Sequence, residues 1–287
     1  MTERLRQAEL RTRPGAAVKV MSLCKNPDTQ PAEVAAVIGT DALFTARVLR
    51  LANSAYYGLS RRVATLDFAV SVIGFQELNS LAALSAAGLD DPEAAPRGFW
   101  EATALTAVGS QLVAGMIGAS TSDAYVVGLL HMIGTAMMHQ NGLSVQLCVP
   151  EIDEIESAEV AVHGVSHAEC GAQMLAAWNF PAPVCQAIGR HHAPMTPSAG
   201  ALERSLHIGR SLAASCLIDG FGRRAGVVEP AAAGQAGERT ETRRDIDEIS
   251  YAWLSEGLIT SEATDDLRTR VTAGAELLIG VLRPSAN

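Results

Sequence analysis

The chain has 287 residues, 48% of them hydrophobic and 5% aromatic, with a formal charge of -9. That apolar content supports a sizeable core and excludes a disordered chain, and recurrent Ala and Leu beside few aromatics favour packed helices over a β-sandwich. Residues 1–80 hold 10 Lys/Arg and 7 Asp/Glu, leaving 12 of 22 basic and 24 of 31 acidic residues for 81–287; the acidic excess argues against non-specific nucleic-acid binding, while the mildly basic start keeps that question open.

Residues 1–14 are polar and Arg-bearing with no apolar stretch behind them, so no leader is expected. Pro31, Glu33, the apolar Val34, Val37 and Ile38, and the stop Gly39 predict a short helix over about 31–38. Thr40 or Asp41 can cap the next, where Phe44, Val48, Leu51 and Ala55 recur at helical spacing before Gly58. Arg47 and Arg50 then fall on its wetter side. Thr65 opens a helix with Leu66, Ala69, Val70 and Ile73 on one face, Gly74 closes it, and a further helix runs to about residue 87. Two helices joined at a glycine suggest a helix-turn-helix, but the second carries Gln76, Glu77, Asn79 and Ser80 where a groove-reading helix wants Arg or Lys, so plain packing is expected.

Asp90, Asp91, Pro92 and Pro96 mark a loop and subdomain boundary, followed by a helix over 100–117. Residues 124–138 are nearly uncharged and predict one buried central helix. The acidic run Glu151, Asp153, Glu154, Glu156 and Glu159 reads as a solvated face. Ser166 and Glu169 form the pattern of a capping box, so His167 begins a helix with Cys170, Met174 and Trp178 on its face. Another starts at Pro183 and keeps Val184, Ala187 or Ile188, and His191 in register until Pro194; 202–217 forms the next. Residues 226–244 read as a Gly/Ala/Glu linker. Beyond it Ile246, Ile249 and Trp253, then Leu267, Val271 and Leu278, mark helices whose apolar faces need this chain's core or a second copy. The expected fold is all-α, divided into 1–92, 93–225, the linker 226–244 and an extension 245–287, with monomer and homodimer both open.

Cys24, Cys148, Cys170, Cys185 and Cys216 are scattered singly, as reduced core residues rather than a zinc knuckle. No segment approaches the roughly 18 uncharged apolar residues of a membrane span, and the expected compartment is the cytoplasm. Phosphate-binding glycine loops and a G-x-S-x-G elbow are absent. The candidates for chemistry are histidines: His131, His139, His163, His167, His191, His192 and His207 all lie after residue 130. His163 and His167 fail as a helical metal pair, because Gly164 and the Ser166 cap place the first outside the helix.

Gly128-Leu129-Leu130-His131-Met132-Ile133-Gly134 resembles the G-L-L-H-D-I-G signature of HD-superfamily metal-dependent phosphohydrolases, and His167 and the doublet His191-His192 follow in matching order. Upstream, Leu51-Ala52-Asn53-Ser54-Ala55-Tyr56-Tyr57-Gly58-Leu59 and the helix over 65–74 resemble the N-terminal half of the HDOD family, the HD-related output domains of bacterial signalling proteins. The resemblance covers about 13–218 and implies a helical bundle whose N-terminal half carries the motif Asn53, Ser54, Tyr56, Tyr57 and Gly58, read as a structural corner. In active HD enzymes imidazoles and carboxylates hold divalent ions that make hydroxide from water. Here the Asp of the HD pair is Met132, the first His position aligns with Ala102, and the last Asp falls at Arg210. A guanidinium a few ångströms from a divalent ion costs several kcal/mol, even at an effective dielectric near 20.

The resemblance with these departures implies a non-catalytic regulator with no metal or other cofactor, acting on a signalling partner. One alternative is a divergent phosphodiesterase drawing ligands from Glu169 or the 151–159 run. Another is a DNA-binding regulator using Arg47, Arg50, Arg61 and Arg62. For the pocket three readings stand: the imidazoles bond one another and backbone carbonyls, or Met132 fills the old metal volume, or Arg210 with His131, His167 and His191 binds a phosphate or nucleotide without cleaving it.

Overall fold

The computed structural model describes residues 15–58, 63–89, 91–143, 152–196, 198–218 and 261–283. Among them the regular elements are helical and no strand occurs, so the fold is all-α. The N-terminal half comprises α1 (Ala16–Leu23), α2 (Pro31–Ile38), α3 (Ala42–Ala52), a single turn at Ala55–Tyr57, α4 (Leu66–Ile73) and α5 (Phe75–Ala86). Its helix starts follow the local chemistry. Pro31 stands in the first turn of α2, Asp41 Oδ1 caps α3 by accepting from Phe44 N–H at 3.0 Å, and Thr65 Oγ1 caps α4 by accepting from Phe68 N–H.

Asn53 ties the corner after α3. Its Oδ1 accepts from Val63 N–H at 3.0 Å, while Nδ2 donates to the carbonyls of Leu49 and Val63 at 3.0 and 2.7 Å. Gly58 follows in the left-handed region, at φ 67°. Tyr56 Oη donates to Gln111 at 2.6 Å, while the hydroxyls of Ser54 and Tyr57 are buried without a hydrogen-bond partner among the described residues. Helices α4 and α5 bend by 105° at Gly74. Leu78, Ser80, Leu81, Ala82, Ala83 and Leu84 of α5 are all buried, so this helix packs into the core.

The second half comprises α6 (Phe99–Met116), α7 (Thr121–Leu130), α8 (Ile133–Gln140), α9 (Ile152–His163), α10 (His167–Ala177), α11 (Ala182–Gly189), α12 (Ala201–Ile218) and α13 (Ser261–Leu282). Helix α6 is the hub, packed against α7, α12 and α13, and α5 meets α7 to join the halves. One apolar cluster runs from Ala16 to Leu282. Leu267, Val271 and Leu278 of α13 are buried within this same chain; the linker 226–244 and Ile246, Ile249 and Trp253 lie outside the described residues.

Four expectations are corrected. Arg47 does not face solvent: it is 5% exposed, its Nη2 donates to the Leu282 carbonyl at 2.7 Å, and its guanidinium stands 5.5 Å from the Trp100 ring. Helix α13, remote in sequence, covers that side of α3 and supplies the partner. Of the remaining arginines of that patch, Arg50 is exposed and Arg61 and Arg62 lie outside the described residues. The central helix is two helices, broken at His131 and Met132, because the His131 ring bonds the Gly128 carbonyl at 2.7 Å, the group a continuing helix would give to Met132 N–H. Helix α11 ends at Gly189, so His191 and His192 sit in the following turn. Finally, the acidic run is not wholly a solvated face, since Glu159 is buried.

No single helix among the described residues is long and apolar enough to cross a membrane.

Candidate functional site

Close backbone approaches bring the histidines together. Helix α8 lies against the first turn of α10 so tightly that a Cβ on Gly134 would collide with the His167 carbonyl and lie 2.7 Å from Gly171 N. Helix α12 lies equally close to α6, where a Cβ on Gly209 would be 2.5 Å from Ser110 N, and this contact sets the position of the adjacent Arg210. Four rings then meet edge to face or tilted: His131 and His191 at 5.4 Å between centroids, His167 and His191 at 5.1 Å, His167 and His192 at 4.8 Å, His191 and His192 at 4.2 Å. His131, His167 and His191 are buried and His192 is half-buried.

The hydrogen bonds fix which nitrogen of each ring carries its proton. His131 Nδ1 and His191 Nδ1 lie 2.7 and 2.6 Å from the carbonyls of Gly128 and Ile188. A carbonyl only accepts, so both rings are protonated on Nδ1 and have a bare Nε2. His192 is the opposite case. Arg210 Nη2 lies 3.2 Å from His192 Nδ1, and a guanidinium only donates, so this Nδ1 is the lone pair and the ring proton is on Nε2. His192 Nε2 donates in turn to His167 Nε2 at 2.9 Å, and His167 Nδ1 donates to Glu159 Oε2 at 2.8 Å. Arg210, His192, His167 and Glu159 thus form one directed row of hydrogen bonds, with a cation at one end, a carboxylate at the other and two neutral rings between. Arg210 Nη1 also donates to the His191 carbonyl.

Burial first, and Arg210 second, disfavour the charged imidazoles. The His131 pKa is pushed down to about 3, that of His192 down to about 2, and that of His191 well below the ordinary value. These three rings are therefore neutral near pH 7, as the proton positions require.

Glu159 is the site residue that sequence reasoning did not single out. It accepts from the backbone N–H of His167 at 2.7 Å as well as from the ring, at the start of α10, where a helix N-terminus favours a carboxylate. The available signal was its place on α9 one turn after the apolar Ile155. Ser166 Oγ caps α10 by accepting from Glu169 N–H at 3.2 Å, while the Glu169 carboxylate turns to Gln173. Only the serine half of the expected capping box is therefore seen.

Of the residues proposed from sequence, His131, His167, His191, His192 and Arg210 converge. Met132 is buried at the break between α7 and α8, with Thr135 Oγ1 3.9 Å from its sulfur. Ala102 is a half-buried residue of α6 packed against the apolar core and brings no polar side-chain atom. His163 ends α9, and Gly164 at φ 74° separates it from α10. Beside His191 a shallow depression is lined by Arg190, Pro194, Met195, Glu203 and His207.

The sequence profile of the HDOD domain matches residues 10–194. The chain belongs to the HDOD domain family. A crystal structure of a candidate phosphohydrolase from Shewanella amazonensis superposes with a TM-score of 0.61 at 23% identity, covering 96% of this chain and 98% of the other. A candidate signal transduction protein from Marinobacter aquaeolei gives 0.59 at 22%, covering 96% and 65%. An HDOD domain protein from Geobacter sulfurreducens gives 0.54 at 21%, covering 93% and 96%. At these identities the likeness concerns the fold. An uncharacterised protein of Treponema pallidum is 27% identical over 188 residues, and that match spans 62% of this chain but only 37% of the relative's length.

HD relationship implies a divalent ion at such a cluster, and the side chains can be tested against it. The ligand atoms of His167, His191 and His192 lie within 4.8 Å of one another. A neutral ring has one lone pair. That of His192 faces Arg210, that of His167 receives the His192 proton, and the bonded oxygen of Glu159 lies at the far nitrogen of His167. As arranged, the HDOD pocket does not fit a three-histidine ion site.

Proposed function

We propose that this HDOD chain is a non-catalytic module of bacterial signal transduction that works in the cytoplasm by binding a partner protein. The observation that carries this reading is the row Arg210, His192, His167, Glu159, which commits to protein hydrogen bonds the lone pairs through which an HD-type site would take its ion. Without a bound ion the route to a hydroxide nucleophile near neutral pH is lost. Family membership supports an output role in signalling. A phosphate or nucleotide at Arg210 would have to compete with the bonds from its guanidinium to His191 and His192.

A second reading, a divergent metal-dependent phosphodiesterase, is favoured by one observation. Three imidazole nitrogens stand close together, and Glu159 lies behind His167 as a carboxylate commonly does behind a metal-bound imidazole. Incubating the purified protein with Mn2+, Zn2+ or Fe2+ and with cyclic dinucleotides or nucleoside triphosphates separates the two. We expect no turnover above that of a His167→Ala control, and turnover abolished by that substitution overturns the non-catalytic reading.

A further inference from the structure

We propose that Arg210 stands in for a metal ion in this pocket, and that His167, His191 and His192 become a transition-metal site when its guanidinium is removed. The inference rests on the non-catalytic reading of the native chain and adds the group that enforces it. His167 Nε2 and His191 Nε2 are 3.3 Å apart. Two nitrogens on one zinc, each at about 2.0–2.1 Å in a tetrahedral shell, stand roughly 3.3 Å apart. In the native tautomers both of these nitrogens carry lone pairs, the one on His167 already accepting from His192 Nε2. His192 Nε2 lies 2.9 Å from His167 Nε2 and completes three ligand atoms.

The obstacle is one proton. Because Arg210 Nη2 donates to His192 Nδ1, the His192 proton resides on Nε2 and points at His167. Without the guanidinium, His192 is free to carry its proton on Nδ1, and its Nε2 becomes a third lone pair, 2.9 Å from His167 Nε2. The outer nitrogens of the other two rings already have the partners that hold metal-bound imidazoles in orientation: Glu159 for His167 and the Ile188 carbonyl for His191. Loss of Arg210 also removes the nearest opposing positive charge named in the shifts of His131, His191 and His192.

The test uses the full chain and the Arg210→Met variant, which keeps an apolar stem of similar reach, each equilibrated with Co2+ and read by visible absorption and by metal content. Native protein is expected to hold far less than one ion, and Arg210→Met about one per chain with the intense bands of a tetrahedral site. Adding His191→Ala should abolish that binding, and adding Glu159→Gln should weaken it about 10–100-fold. A folded Arg210→Met protein that binds no more than native overturns the inference and leaves the non-catalytic reading standing. Native protein that binds a full equivalent, lost in His191→Ala, overturns both. Nitrogen-15 spectra of the native imidazoles provide a check that needs no variant to fold: His192 should be protonated on Nε2 alone, and His131, His167 and His191 on Nδ1 alone. A His192 protonated on Nδ1 sinks the proposal.

Discussion

Asn53 uses both ends of its amide to close the corner between α3 and α4, and nothing else among its neighbours duplicates the bond to Val63 N–H. Asn53→Ala leaves that donor and two carbonyls to find other partners, and should cost about 1–3 kcal/mol. For a chain of this size that corresponds to a fall in melting temperature of about 2–4 °C per kcal/mol, readable by circular dichroism. An unchanged melting temperature with lost partner binding would make the motif a contact surface instead of a corner. The histidines give a second prediction at this scale. In the unfolded chain their pKa is about 6.5, whereas burial and Arg210 hold His131 near 3 in the native state. The unfolded state therefore binds more protons between these values. Stability is full above about pH 6.5 and declines as pH falls through the window, by at most about 1.4 kcal/mol per pH unit for each such ring. Thermal melts from pH 7.5 down to 4.5 should show this fall, and His131→Asn should make it shallower; a melting temperature flat across that range would mean that the rings are protonated when folded.

At the scale of elements, α13 is the helix whose partner the sequence left open between core and second copy. Leu278 and Val271 are fully buried against the hub helix and its neighbours, and Arg47 and Glu101 reach its last turn, through the Leu282 carbonyl and Arg283 at 3.0 Å. Leu278→Ala should cost about 2–5 kcal/mol, measured by denaturant titration, and a variant lacking 261–287 should melt at lower temperature or aggregate. A truncated protein that stays a soluble monomer with native melting temperature would show that α13 adds nothing to the core. Most helix positions were legible from caps and apolar spacing, since Asp41, Thr65, Ser166 and Pro31 act within one turn of themselves. The break between α7 and α8 was not. Residues 124–138 carry no glycine or proline pattern that forces it, and its cause is a side chain bonding backward at His131. The burial of Arg47 was hidden for the same reason, because its partner lies at the other end of the chain.

Across the whole molecule, the histidines of the pocket were legible as a pattern, but their protons were not. Spacing identifies His131, His167 and the doublet as a group, and the Arg at 210 as a departure. It does not tell that Arg210 faces the Nδ1 of His192, nor that Glu159 from α9 closes the far end, since both depend on how four separate helices are stacked. That stacking has a consequence for how the pocket can change over time. Glu159 and Arg210 are read by each other through two neutral rings, so the energetic effect of replacing one depends on whether the other is present. Losing either alone leaves the ring beside it without the partner that fixes its proton, whereas losing both leaves His167 and His192 free to choose new tautomers together. The two positions should therefore be inherited as a pair, and a relative that has exchanged the arginine for a carboxylate should show its difference at the glutamate too.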